Sequence, residues 1–243
     1  MNVKGVSLKK VIHKANTRGY ADHGWLKSRH TFSFANYYEP KRIQFGLLRV
    51  LNDDIVEGGM GFGTHPHDNM EIVSIPLKGA LAHRDSAGHH QVIKTGDVQI
   101  MSAGSGIAHS EYNHSETEEV NFLQIWVFPK ERNIQPRYEQ KTFPVSERHN
   151  RFLTVVSPEK ANGELWINQD AYFSLGRFDA GQQTNYPVSK KGNGIYLFVI
   201  EGKIEIDGEV LDRRDAIGIT ETDSIQLKAL TSSEILIMDI PMN

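Results

Sequence analysis

Ile195-Tyr196-Leu197-Phe198-Val199-Ile200-Glu201-Gly202-Lys203-Ile204-Glu205-Ile206-Asp207-Gly208-Glu209-Val210 is the stretch that decides the fold. Its first six residues form a short β-branched and aromatic run bounded by polar and turn residues, which is how a strand reads. The last seven place Asp-Gly between two apolar-polar alternations, the strongest local signal for a β-hairpin. Working outward, Phe122-Leu123-Gln124-Ile125-Trp126-Val127-Phe128 repeats the first pattern, and helical periodicity is scarce throughout. The expectation is an all-β, barrel-like architecture.

An internal repeat extends this reading. Leu77-Lys78-Gly79-Ala80-Leu81 followed by Gly96-Asp97-Val98-Gln99-Ile100 matches Ile200-Glu201-Gly202-Lys203-Ile204 followed by Asp215-Ala216-Ile217-Gly218-Ile219. Two stacked antiparallel β-barrels of similar fold are predicted. The polar stretch Pro129–Gln140, with two prolines, reads as the linker and places the domains at 1–140 and 141–243.

The 243 residues can bury one large core or two moderate ones. With 27 basic and 30 acidic side chains, the chain lacks the basic stripe of a direct nucleic-acid binder. It contains no cysteine, which excludes disulfides, thiolate metal sites and iron–sulfur clusters. Met1 to Asn16 carries four lysines and no apolar run of signal-peptide length, and nothing later reads as a membrane span. A cytoplasmic location is expected.

The chemistry concentrates in the first half, in His65-Pro66-His67 and Gly104-Ser105-Gly106-Ile107-Ala108-His109-Ser110-Glu111. Residues i and i+2 of a strand point to one face, so each stretch presents two potential metal ligands together. A lone His-x-His is common by chance. Two such pairs, the second delivered by a Gly-Ser-Gly turn, would aim three imidazoles and a carboxylate at one point. Structural roles for all four would need a separate buried partner for each. Such a donor set suits Fe(II), Mn, Ni, Cu or Zn rather than Ca or Mg, and on an octahedral ion it leaves two positions open. Counting along the repeat from Asp97 to Asp215 and from Gly79 to Gly202 puts Leu227 and Ala229, and Val188 and Lys190, at the corresponding places in the second half. All 11 histidines lie at or before His149, so no second site of this kind is predicted.

Gly63-Thr64-His65-Pro66-His67 with Met70-Glu71, Met101 through Asn113, Pro136-Arg137-Tyr138-Glu139-Gln140, His23-Gly24-Trp25-Leu26 and His30-Thr31-Phe32-Ser33-Phe34 together resemble the pirin family of the cupin superfamily. The resemblance is strong over residues 13 to 140 and looser beyond. It implies a bicupin of two antiparallel β-barrels packed face to face, with a metal, iron first, only in the N-terminal barrel. Carried over residue by residue, His65, His67, His109 and Glu111 would be the ligands. Many cupins instead take the carboxylate a few residues after the His-x-His pair, which here is Glu71. The closer match to the pirin segment favours Glu111, leaving Glu71 behind the ligands or in the core.

The family includes bacterial proteins similar to quercetin 2,3-dioxygenase and a nuclear iron protein that acts with a transcription factor. The resemblance therefore implies a metal-dependent dioxygenase that opens a flavonol such as quercetin with O2 and releases carbon monoxide. Glu111 would take the proton of the substrate hydroxyl. A non-enzymatic metal-binding regulator with a protein partner is the alternative. Phe122, Gln124 and Trp126 share a strand face, from which Gln124 could orient a substrate. His83, His89, His90, His114 and His149 are expected in solvated turns. His23 and His30 would line a pocket or satisfy buried hydrogen bonds, and Asn52-Asp53-Asp54 reads as a turn between strands.

Overall fold

The computed structural model describes residues 9–243; residues 1–8, part of the N-terminal segment read above for a leader, lie outside them. The first strands are β1 (Lys9–His13), β2 (Gly19–Asp22), β3 (Leu26–His30), β4 (Leu48–Val56), β5 (Gly61–His67) and β6 (Glu71–Lys78). They are followed by β7 (Ala80–Asp85), β8 (His90–Lys94), β9 (Asp97–Ser102), β10 (Ile107–Asn113), β11 (Val120–Val127) and β12 (Arg137–Thr142). The later strands are β13 (Phe152–Ser157), β14 (Leu165–Trp166), β15 (Tyr172–Phe178), β16 (Gln183–Pro187) and β17 (Asn193–Glu201). β18 (Ile204–Ile206), β19 (Glu209–Leu211), β20 (Ala216–Thr220), β21 (Ser224–Ala229) and β22 (Ser233–Pro241) complete the chain.

Two compact units result. One comprises Arg18–Pro144 and Val156–Asp170; the other comprises the described residues up to Thr17, Val145–Val155 and Ala171–Asn243. Residue 140 lies within β12, and each unit also takes in a stretch from the other side of it. β1 pairs along β20 in the second unit. Residues 156–170 are tied into the first, where the Asn168 amide donates to Glu71 over 3.1 Å and the Arg137 guanidinium to the Trp166 carbonyl over 2.9 Å.

The first unit is a seven-stranded sheet, β12-β9-β6-β11-β4-β3-β2, and a four-stranded sheet, β5-β10-β7-β8. The second contains the run β1-β20-β17-β22-β15 and the four-stranded sheet β16-β21-β18-β19. The fold is all-β and cupin-like, with each predicted barrel built from a larger and a smaller sheet rather than one closed ladder. The Asp-Gly hairpin forms between β18 and β19, with Asp207 and Gly208 both at positive φ, as a type I′ turn requires. Gly79 and Gly202 occupy the same left-handed bend in the two units.

That shared bend fixes the true correspondence between the units. Leu81 and Ile204 lie two residues beyond it and pair with Asn113 and Ala229. Stepping back along β10 and β21 puts Ile225 and Leu227 at the places of His109 and Glu111. The β5–β10 and β16–β21 registers then put Tyr186 and Val188 at those of His65 and His67. The positions counted from sequence are two residues too far on, because the loops flanking these strands differ in length by two. The residues at the true positions are apolar or aromatic and join a single cluster with Leu197, Ile217 and Ile237. In the first unit, apolar clusters among the described residues form around Leu81 and Phe122 and around Ile72 and Met101.

Candidate metal centre

The polar cluster of the first unit is built on the inner face of β5-β10-β7. Along β10, Ile107, His109, Glu111 and Asn113 are buried while Ser110 and Tyr112 are not, so parity turns His109 and Glu111 inward together. His65 lies opposite His109, and Phe62, not Gly63, lies opposite Glu111. β5 therefore carries one extra residue at this point. Such a bulge re-aims side chains, and it lets residues three apart, Phe62 and His65, serve one face.

The rings of His65, His67 and His109 lie with centroids 4.5 to 4.9 Å apart, and one nitrogen from each falls within 4.8 Å of the other two. His65 Nδ1 is 2.8 Å from the Gly63 carbonyl oxygen. A carbonyl only accepts, so Nδ1 carries the proton and Nε2 keeps its lone pair. Both ring nitrogens of His109 are buried without a hydrogen-bond partner, an arrangement that is unfavourable unless a further group meets them. Burial, reinforced by neighbouring imidazoles, pushes His67 down to about 4 and His109 to about 3. Both are neutral donors at physiological pH. The residues present therefore fit a transition metal.

Glu111 is held by two hydrogen bonds: Gln124 Nε2 donates to Oε2 over 2.8 Å and the Ser74 hydroxyl to Oε1 over 3.2 Å. Burial outweighs these bonds and raises its pKa to about 7. Its carboxylate groups with His109 and His83, all mutually within 4.8 Å, rather than with His65 and His67. Gln124 thus orients Glu111 while also lining the cavity.

Glu71 lies elsewhere. Asn69, in a left-handed conformation, turns the chain after His67 and breaks the parity that the sequence suggested. Ile72 lines the cavity, whereas Glu71 accepts bonds from Ser102 and the Asn168 amide. It is a core carboxylate whose pKa burial lifts to about 7.

Three further expectations are corrected. His83 is not solvated: it is 1% exposed and its ring centroid lies 5.3 Å from that of His109. His89 is half-buried against Tyr138 and Asp85, while His90, His114 and His149 are exposed. Asn52-Asp53-Asp54 is no turn but the buried middle of β4. Partners distant in sequence satisfy it, with His30 on Asn52, Asn121 on Asp53 and Ser28 on Asp54. His30 is buried and bonded, while His23 is exposed at the rim. Sequence reasoning missed His83-Arg84-Asp85, although it is a third i, i+2 pair of ligand-type residues.

The cluster opens on a cavity of about 250 Å³ lined by Phe34, Phe62, Ile72 and Trp126 together with Asn52, Asp54 and Gln124. A second chamber of about 400 Å³ shares Phe34, Asn52, Asp54 and Phe62 with it.

Two cupin-like units, one with a His/Glu cluster that can hold a metal and one with apolar residues in its place, define a bicupin of the metal-binding kind. The pirin family profile matches residues 11–127, and a profile described as quercetinase C-terminal cupin domain matches residues 154–240. A quercetin 2,3-dioxygenase of Escherichia coli K12 is 42% identical over 230 residues, covering 95% of this chain and 98% of that protein. A pirin-like protein of Caulobacter vibrioides is 41% identical over 222 residues, covering 91% and 95%. The crystal structure of the Escherichia coli pirin YhhW in complex with nickel(II) superposes with a TM-score of 0.91 at 41% identity, covering 96% of this chain and 99% of that one. The chain belongs to the pirin family.

Proposed function

We propose that this protein is a metal-dependent dioxygenase that opens a flavonol such as quercetin with O2 and releases carbon monoxide. Supporting this reading is one juxtaposition: three imidazoles and a hydrogen-bonded carboxylate at the edge of a cavity walled by aromatic rings. His65, His67 and His109 would hold one divalent ion, Fe(II) by expectation, with Glu111 beside it. When bound, such an ion supplies Lewis acidity toward a substrate oxygen and access to dioxygen chemistry.

The chain's own residues do the rest. Phe34, Phe62 and Trp126 offer faces and edges to a planar aromatic substrate. Glu111, within the same cavity, takes the proton of the substrate hydroxyl, and Ser74 and Gln124 keep its oxygens aimed. Wild-type protein purified anaerobically, assayed for metal and then loaded with each candidate ion, should consume O2 with quercetin and release CO in at least one form. If no loaded form does so, the regulatory alternative takes precedence.

A further inference from the structure

We infer that His83, His109 and Glu111 form a second seat for the metal, deeper than the His65–His67 pair and sharing His109 with it. His83 stands directly opposite Glu111 in the β10–β7 ladder, and Asp85 opposite His109. Facing residues of this kind have Cβ atoms about 4.5–5.5 Å apart. The ligand atoms of His83, His109 and Glu111 all lie within 4.8 Å of one another, and all three residues are buried. Two imidazoles and one carboxylate form the donor type that open transition-metal sites use.

The second observation is independent of that proximity. His83 Nε2 lies 3.1 Å from Asp85 Oδ2. The same carboxylate accepts from His89 Nδ1 over 2.8 Å and from the amides of Ala87 and His89. A carboxylate so surrounded by donors acts as an acceptor, so Nε2 of His83 carries the proton. That leaves Nδ1 with the lone pair, buried and without a partner. A ring whose one nitrogen is anchored on a carboxylate while the other is bare is the signature of a metal-ligating histidine. His65, anchored on the Gly63 carbonyl, shows the same signature in the outer seat. Asp85 is thus the positioning residue of the inner seat. The two seats have His109 in common.

The test is Co(II) titration of chelator-treated, full-length protein, followed by visible absorption. His65 and His67 are only partly buried, so H65A/H67A should fold and still bind Co(II), more weakly than wild type. On that background D85N should weaken binding roughly 10- to 100-fold, and H83A should abolish it. H65A/H67A with wild-type circular dichroism and no Co(II) uptake overturns the inner seat while leaving the outer one standing. So does uptake that neither H83A nor D85N changes. If wild type itself takes up no Co(II), the metal reading of the whole cluster falls, and the proposed function with it.

Discussion

Glu111 sets the pH response of the site. Burial raises its pKa to about 7, while His67 and His109 are held at about 4 and 3. Between pH 8 and 5 His67 and His109 therefore stay neutral while Glu111 takes up a proton. A protonated carboxyl must lose that proton before it meets a cation. Metal affinity should accordingly be flat above pH about 7 and fall below it, by at most about tenfold per pH unit for one proton. Glu111→Gln should flatten the profile and, in loaded protein, lower flavonol turnover by at least about 10²-fold. Competition with a chelator of known affinity at pH 8, 7, 6 and 5.5 measures the first effect. A wild-type inflection that Glu111→Gln leaves in place would assign the titration to another group. Glu71→Gln, on a carboxylate outside the cluster, should leave both profile and turnover close to wild type.

Strands β5 and β10, which carry the outer ligands, approach closely at Gly61. A Cβ there would meet the Tyr112 Cα and the Glu111 carbonyl oxygen, both main-chain atoms that cannot swing aside. Gly61→Ala should push the bulged strand outward, lower stability by roughly 1–3 kcal/mol and weaken metal binding. Gly63→Ala, whose added carbon would meet only the Tyr112 hydroxyl at 3.9 Å, should do neither. Thermal unfolding with metal titration of the two variants decides it, and equal behaviour would remove the bulge from the account. At this level the sequence was informative where the signal is local: the Asp207-Gly208 turn and the i, i+2 pairs of β5 and β10 are read directly from spacing. It misled where polar residues owe their burial to distant partners. Asn52-Asp53-Asp54 resembles a turn because such residues favour turns, and only the folded sheet brings His30, Asn121 and Ser28 to them. His83-Arg84-Asp85 failed for the same reason: exposed Arg84 between the two makes the triplet look solvated. The bulge itself, a single extra residue in β5, leaves no mark in composition.

Over the whole molecule, the two units set one fold with and without a polar interior side by side. Where the first unit has His109, the second has Ile225, fully absorbed into its apolar cluster. His109 brings two buried nitrogens without partners to that place, and a buried donor or acceptor left unmade costs about 1–3 kcal/mol. The metal-free protein should therefore carry strain at this residue that the ion relieves. His109→Leu, which moves the first unit toward the solution the second already uses, should raise the stability of chelator-treated protein by about 1–2 kcal/mol. It should also remove the stabilisation that metal gives wild type. That stabilisation is about 2.7 kcal/mol for free ion at a hundred times its dissociation constant. Denaturant unfolding of both proteins, with and without metal, gives all four values. The prediction is a crossing: the variant more stable without metal, the wild type more stable with it. If metal-free His109→Leu unfolds at lower denaturant than metal-free wild type, the nitrogens of His109 are satisfied within the protein, and the strongest physical reason for placing an ion among these three imidazoles is lost.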